Sequence, residues 1–197
     1  MSDTKDNSLL AVQGSIHFGF LTIYQDTTGF VGAYLATNRW LRPLEFRISS
    51  AVSPNKVQQI LYGDSLRPFL FAEVIAKALI EKSSNPVNMV ITDQPEVLEL
   101  RKKMDLAVAC LTKAETVIPE GYQPITGPRG IGLIYSGKSE DIPAWSTLFE
   151  NMDFDLAEPF IRIRDAVSET RRTTNRTTGT AAPPQGNPPP PPSSQVA

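Results

Sequence analysis

Apolar residues fill Phe30–Ala36 almost without interruption, whereas from Leu44 to Ser49 they alternate with polar ones. The first pattern is that of a short strand covered on both faces, and Gly29 and Gly32 disfavour a helix there. In the second, Leu44, Phe46 and Ile48 make a dry face and Glu45, Arg47 and Ser49 a wet one. Asn38 to Pro43 supplies the polar residues and the proline of a connection, so the pair reads as a hairpin. Upstream, Ser15–Tyr24 alternates as well. Ile16, Phe18, Phe20, Thr22 and Tyr24 fall on one face, and His17, Gly19, Leu21 and Ile23 on the other. With Gln25 to Gly29 as a short polar turn, a three-stranded antiparallel meander opens the sheet.

Helical spacing follows. Ser53 is placed to cap a helix with Pro54 in its first turn and Gly63 as its stop. A second helix is expected from Asp64 or Ser65 to about Lys82. Its inward face is Phe71, Ile75, Ala78 and Leu79, and its wet face is the ladder Glu73, Lys77, Glu81. Asn88–Thr92 reads as a strand, with Asp93 capping a helix that carries Val97, Leu100 and Met104 inward. Leu106–Leu111 and Ile131–Tyr135 are further strands, separated by a proline- and glycine-rich loop over Pro119–Gly130. Trp145–Asn151 and Leu156 to about Glu169 read as helices. From Thr170 the chain loses apolar bulk and ends in a proline-rich stretch, the composition of a disordered tail. The fold expected is one α+β or α/β domain over residues 8–169, with a mixed sheet, followed by the tail 170–197.

Composition changes this picture little. The chain has 197 residues and a formal net charge of -2, which gives no overall attraction to nucleic acid or to an anionic membrane. Its single cysteine, Cys110, lies in an apolar run and reads as a buried thiol suited to a reducing compartment. No stretch approaches the roughly 20 apolar residues of a membrane helix. The first residues lack the pattern of a secretory signal, so a cytoplasmic location is expected.

Several kinds of chemistry are testable by spacing. Gly132 to Ser139 fits G-x-x-x-x-G-K-[ST], but Leu133, Ile134 and Tyr135 read as a strand inside what should be a phosphate loop. His17 is the only histidine and sits among apolar neighbours. No G-x-S-x-G elbow occurs, and Cys110 has no cation or helix start beside it to lower its pKa. No cysteine–histidine cluster of the zinc type is present. Three strands, a helical segment, strand, helix, strand is the order of an RNase H-like domain. Its metal sites draw carboxylates from the first strand, first helix and fourth strand, and the nearest candidates are Asp26, Glu73 and Asp93. Two magnesium or manganese ions on such a set activate water for phosphodiester cleavage. Each candidate also has an ordinary explanation: Asp26 as a turn residue, Glu73 as part of a solvated ladder, Asp93 as a helix cap. The local basic concentration is Arg162, Arg164, Arg171, Arg172 and Arg176, and Trp40 stands in a loop between Arg39 and Arg42, a grouping suited to recognition.

The stretches Gly29 to Asn38, Arg42 to Arg47 and Asn55 to Gly63 resemble a group of uncharacterised bacterial proteins of planctomycete type. That resemblance implies no activity and no functional residue. With no catalytic constellation passing its context test, the first expectation is a non-catalytic binding or assembly protein. It would need no metal or other cofactor and would act on a protein partner through Arg39, Trp40 and Arg42, with nucleic acid left open and no membrane. The alternative is a metal-dependent, RNase H-like nuclease or a degenerate relative of one.

Overall fold

In the computed structural model, residues 16–112 and 117–178 are described. Seven strands form one mixed sheet in the order β3-β2-β1-β4-β5-β7-β6. The strands are β1 (His17–Asp26), β2 (Gly29–Asn38), β3 (Pro43–Ile48), β4 (Met89–Thr92), β5 (Ala107–Leu111), β6 (Gln123–Thr126) and β7 (Gly132–Ser136). β1, β2 and β3 form the expected antiparallel meander, while β1, β4 and β5 run parallel. Meander, helical segment, strand, helix, strand is thus the order the chain adopts, that of an RNase H-like sheet. An antiparallel pair, β7 and β6, extends it beyond β5.

The alternation of β1 and β2 divides the interior into two cores. Phe18, Phe20, Ala33 and Leu35 face one side, where Trp145 and Phe149 of α4 (Ile142–Glu150) and Phe160, Ile163 and Val167 of α5 (Glu158–Thr178) cover them. Leu21, Ile23, Tyr34 and Ala36 face the other, beneath Phe71, Ile75, Val97 and Leu100. Each fully buried large apolar side chain contributes about 1.5–3 kcal/mol, set against the entropy of ordering the chain. The continuous apolar run Phe30–Ala36 is explained by this: β2 lies inside the sheet and has no wet face.

Several local expectations shift. The first helix, α1 (Lys56–Tyr62), begins after Asn55, two residues later than a Ser53 cap would place it. The Asn55 side chain accepts from the Gln58 amide at 2.8 Å, and the Gln58 side chain accepts from the Asn55 amide at 2.9 Å. This reciprocal capping box satisfies two donors where the serine would satisfy one. After it, α2 (Leu66–Pro68) and α3 (Lys77–Glu81) flank a π-helical stretch, Phe69–Ala76. The wider turn breaks the expected i,i+4 ladder. Lys77 still meets Glu81, but Glu73 pairs with Lys103 at 3.1 Å. Asp93 caps nothing, since the helix Pro95–Lys102 is 3₁₀ and starts from Gln94 without a side-chain cap. β6 lies within the expected loop. Its Pro124 is tolerated because β6 is an edge strand. The last helix runs on to Thr178, past the point where the tail was expected to start, and residues 179–197 lie outside the described region.

β3 inverts its expected faces. Leu44, Phe46 and Ile48 are the exposed side, and Glu45 and Arg47 are half-buried. Glu45 accepts hydrogen bonds from Ser83 Oγ, the Ser84 amide and Asn85 Nδ2 and pairs with Arg47. A carboxylate that ties the sheet edge to the loop after α3 replaces the dry face that alternation suggested. Those bonds, from Asn85 first and then Arg47 and Ser83, pull the Glu45 carboxyl from 4.5 down to about 2. Because the folded value lies below the unfolded one, this stabilisation is complete above pH 4.5 and is lost as pH falls toward 2. Glu45→Gln is therefore expected to cost about 2 kcal/mol at neutral pH. The deficit relative to wild type should shrink at pH 3, as read by urea titration at both pH values.

Candidate functional site

In an open sheet with parallel strands, the chain turns away in opposite directions from the carboxyl ends of two neighbouring strands at one place, and a crevice opens there. Here the place lies between β1 and β4. β1 leads outward into β2, and β4 leads through the 3₁₀ helix Pro95–Lys102 to β5 on the other side. Leu21 pairs with Thr92, so the next residues, Thr22 and Asp93, stand together at the mouth.

The side chains of Thr22, Tyr24 and Asp26 continue the face that carries Phe18 and Phe20, toward α5. Thr22 is 2% exposed. The Tyr24 hydroxyl is buried and makes no hydrogen bond of good geometry. Thr22 and Arg164 nevertheless stand close enough to favour its ionised form, and Asp93 close enough to oppose it. Burial is the largest influence and raises the Tyr24 pKa above 10.0. Among the described residues Asp93 accepts one long bond, from Gln94 Nε2 at 3.3 Å. Among the described residues Arg162, Arg171 and Arg172 of α5 have carboxylate partners in Glu158, Asp26 and Glu169, and Arg164 has none. It meets Tyr24 instead.

Asp26 stands at the rim and is already engaged. Its Oδ1 accepts from the Thr28 hydroxyl at 2.6 Å and the Thr28 amide at 2.7 Å, and its Oδ2 meets Arg171 at 2.7 Å. The hydroxyl bond first, then the amide, hold its pKa below the usual value. Glu73 is on the π-helical stretch, whose buried residues pack in the second core, on the opposite face from Tyr24 and Asp26. The sheet separates it from Asp26. Asp93 alone of the three stands beside Thr22 where β1 and β4 diverge. Thr22 and Tyr24 escaped sequence reading because a threonine and a tyrosine carry no spacing signature, and Arg164 stood out only as one of the basic concentration near the last helix. The register of β1 on β4 and the line of α5 bring them together.

The other candidates are placed as follows. Leu133, Ile134 and Tyr135 pair with both β5 and β6, so their amides are committed to a ladder and Gly132 to Ser139 is no phosphate loop. Cys110 is buried, and burial pushes its thiol up to about 12. Such a thiol is inert at neutral pH. His17 Nδ1 lies 3.1 Å from the Pro86 carbonyl oxygen, a structural contact. Arg39, Trp40 and Arg42 form the β2–β3 turn, at the other end of the sheet from the crevice.

No protein-family model and no curated relative matches the chain. Solved structures do resemble it. Human ENDOV is 12% identical, with 86% of this chain and 93% of that one covered at a TM-score of 0.46. Endonuclease V of Streptomyces avermitilis is 13% identical, covering 89% and 95% at 0.44. Endonuclease V of Ciona intestinalis, in complex with a DNA containing an inosine followed by a ribo-adenosine, is 9% identical, covering 83% and 87% at 0.44. These are nucleases. These likenesses run against the expectation of a non-catalytic, cofactor-free binding or assembly protein and toward its nuclease-type alternative. Likenesses this distant concern the fold, and the chemistry has to be read from the chain's own residues.

Those residues do not fit a two-metal centre. Asp26 has both oxygens engaged, Glu73 lies across the sheet from it, and only Asp93 remains, beside Thr22. Among the described residues, no three of His, Cys, Asp and Glu are grouped to hold a metal ion. Also among the described residues, no helix is long and apolar enough to cross a membrane.

Proposed function

We propose that this chain is a degenerate relative of an RNase H-like nuclease, which engages a nucleic-acid strand at the β1–β4 crevice. The observation that carries the reading is Arg164: an exposed guanidinium that has no carboxylate partner among the described residues and stands by the buried hydroxyl of Tyr24 at the switch point of the sheet. The exposed guanidinium suits a phosphate oxygen, and the buried phenol beneath it favours its position there. Asp93 beside them offers an acceptor for a ribose hydroxyl or a base amine. A sugar-phosphate chain presents both kinds of group within one nucleotide. The buried Cys110 accords with a cytoplasmic setting.

Arg164→Glu is expected to weaken binding of labelled single- and double-stranded oligonucleotides by roughly 10-fold or more at low salt, measured by fluorescence anisotropy, through loss of a charged contact worth about 1.5–3 kcal/mol. Wild-type affinity should fall steeply with added salt. Incubation with magnesium or manganese should give no cleavage. Metal-dependent cleavage abolished by Asp93→Asn would overturn the degenerate reading and establish an active nuclease. Failure to bind any oligonucleotide would overturn the nucleic-acid reading itself.

A further inference from the structure

We infer that Trp40 is a stacking platform for a base of single-stranded nucleic acid. This rests on the nucleic-acid reading above and names the form of ligand.

Trp40 is 66% exposed at the tip of the β2–β3 turn. A single exposed apolar residue needs no explanation in itself, but the construction of this turn does. The Asn38 side-chain oxygen accepts from the amides of Trp40 at 3.0 Å and Arg42 at 3.1 Å. The Asn38 backbone exchanges two more bonds, with the Arg42 carbonyl and the Leu41 amide. Leu41 takes a left-handed conformation, φ 57°, which is unfavourable for a leucine, and is held there by burial in the first core. Arg162 of α5 donates to the Leu41 carbonyl oxygen at 2.9 Å. Turning Leu41 inward by this strained route leaves its neighbour Trp40 directed outward on a fixed backbone. A left-handed third residue is the usual geometry of a three-residue hairpin loop, and leucine takes it here because its side chain packs inward.

The surroundings specify the ligand. The Arg39 guanidinium stands over the indole ring at 5.4 Å, and Arg42 follows. The turn itself carries no acidic residue. A rigid aromatic surface beside cations, in a chain of net charge -2 overall, suits a polyanion with free π-faces. Duplex bases are already stacked on one another and cannot use it. The same helix touches both regions: Arg162 secures the Trp40 turn at one end of the sheet, and Arg164 meets Tyr24 toward the other.

The test compares the full-length chain with Trp40→Ala and Trp40→Phe by anisotropy, using labelled oligothymidylate, oligouridylate and a hairpin duplex. Trp40→Ala should raise Kd for the single strands by roughly 10-fold or more, with Trp40→Phe within about 3-fold of wild type and the duplex little changed. An unchanged single-strand Kd in Trp40→Ala, with Arg164→Glu still weakening binding, would overturn the platform and leave the crevice reading standing. An equal loss on duplex would also overturn it, by assigning Trp40 a general role. If wild type binds none of the probes, both readings fall. Should a peptide of the chain's own proline-rich stretch bind in a Trp40-dependent manner while the oligonucleotides do not, the site belongs to a second copy of this chain.

Discussion

Trp145→Ala is expected to cost about 4 kcal/mol of folding stability, the largest single loss anticipated for a side-chain truncation in this domain. The indole is 2% exposed and sits where α4 meets β1. Its ring centroid lies 6.4 Å from Phe18 and 6.0 Å from Phe149, and the latter ring is also 6.2 Å from Phe18, so the three aromatics close a triangle. Removing one corner leaves a void that two other aromatic rings cannot fill without abandoning their own contacts. Trp145→Phe separates volume from polarity. It retains most of the aromatic surface and removes a buried indole N–H whose neighbour, the Tyr135 hydroxyl, is outside good hydrogen-bond geometry. That variant should lose less than about 1.5 kcal/mol. Equilibrium urea unfolding decides the matter; equal losses for the two variants would show that the triangle does not govern the stability of this core.

Gly29→Ala should be nearly as damaging, at about 3 kcal/mol, although it adds a single methyl group. Gly29 has φ 129°, a region closed to residues with a Cβ, and the added carbon would lie 2.4 Å from the Val52 carbonyl oxygen. That carbonyl accepts from the Phe30 amide at 2.8 Å, and the Val52 amide donates back to Phe30 at the same distance. The bridge closes the segment from β2 through β3 on itself, so the methyl group must either distort the turn or break the bridge. Gly63 provides the comparison. Its φ is 50°, but nothing lies within 4 Å of the position a Cβ would take. Gly63→Ala should cost about 1 kcal/mol, the conformational part alone. Thermal melts of the two alanine variants, side by side, separate steric contact from backbone strain.

The nature of each strand was legible where alternation and burial agreed. β1 shows its two faces openly, and the unbroken apolar run of β2 foretold cover on both sides. β3 misled because alternation reports which residues share a face and says nothing about which face is covered. Leu44, Phe46 and Ile48 lie beyond the reach of α5, while Glu45 on the opposite face meets Ser83, Ser84 and Asn85, some 40 positions along the chain. β6 was hidden by brevity and Pro124. The extension of α5 was hidden by a threonine- and arginine-rich sequence whose support comes from Arg171 reaching Asp26.

The candidate site was less legible, for a related reason. Asp26, Glu73 and Asp93 were chosen from the order of elements, and order does not state on which side of a sheet a helical side chain will lie. The π-helical stretch put Glu73 on the far face against Lys103. The Trp40 turn was visible because tryptophan between two arginines is a compositional signal.

By itself, then, the sequence determined the two-faced strands, the meander, the buried thiol and the absence of a phosphate loop, because each depends on residues a few positions apart. Only the tertiary structure decided that Thr22, Tyr24, Asp93 and Arg164 share one crevice, that Glu73 is excluded from it, and that Glu45 is anchored. Those outcomes depend on the parallel register of β1 on β4 and on where the helices settle across the sheet, which are set by packing between segments far apart in the chain.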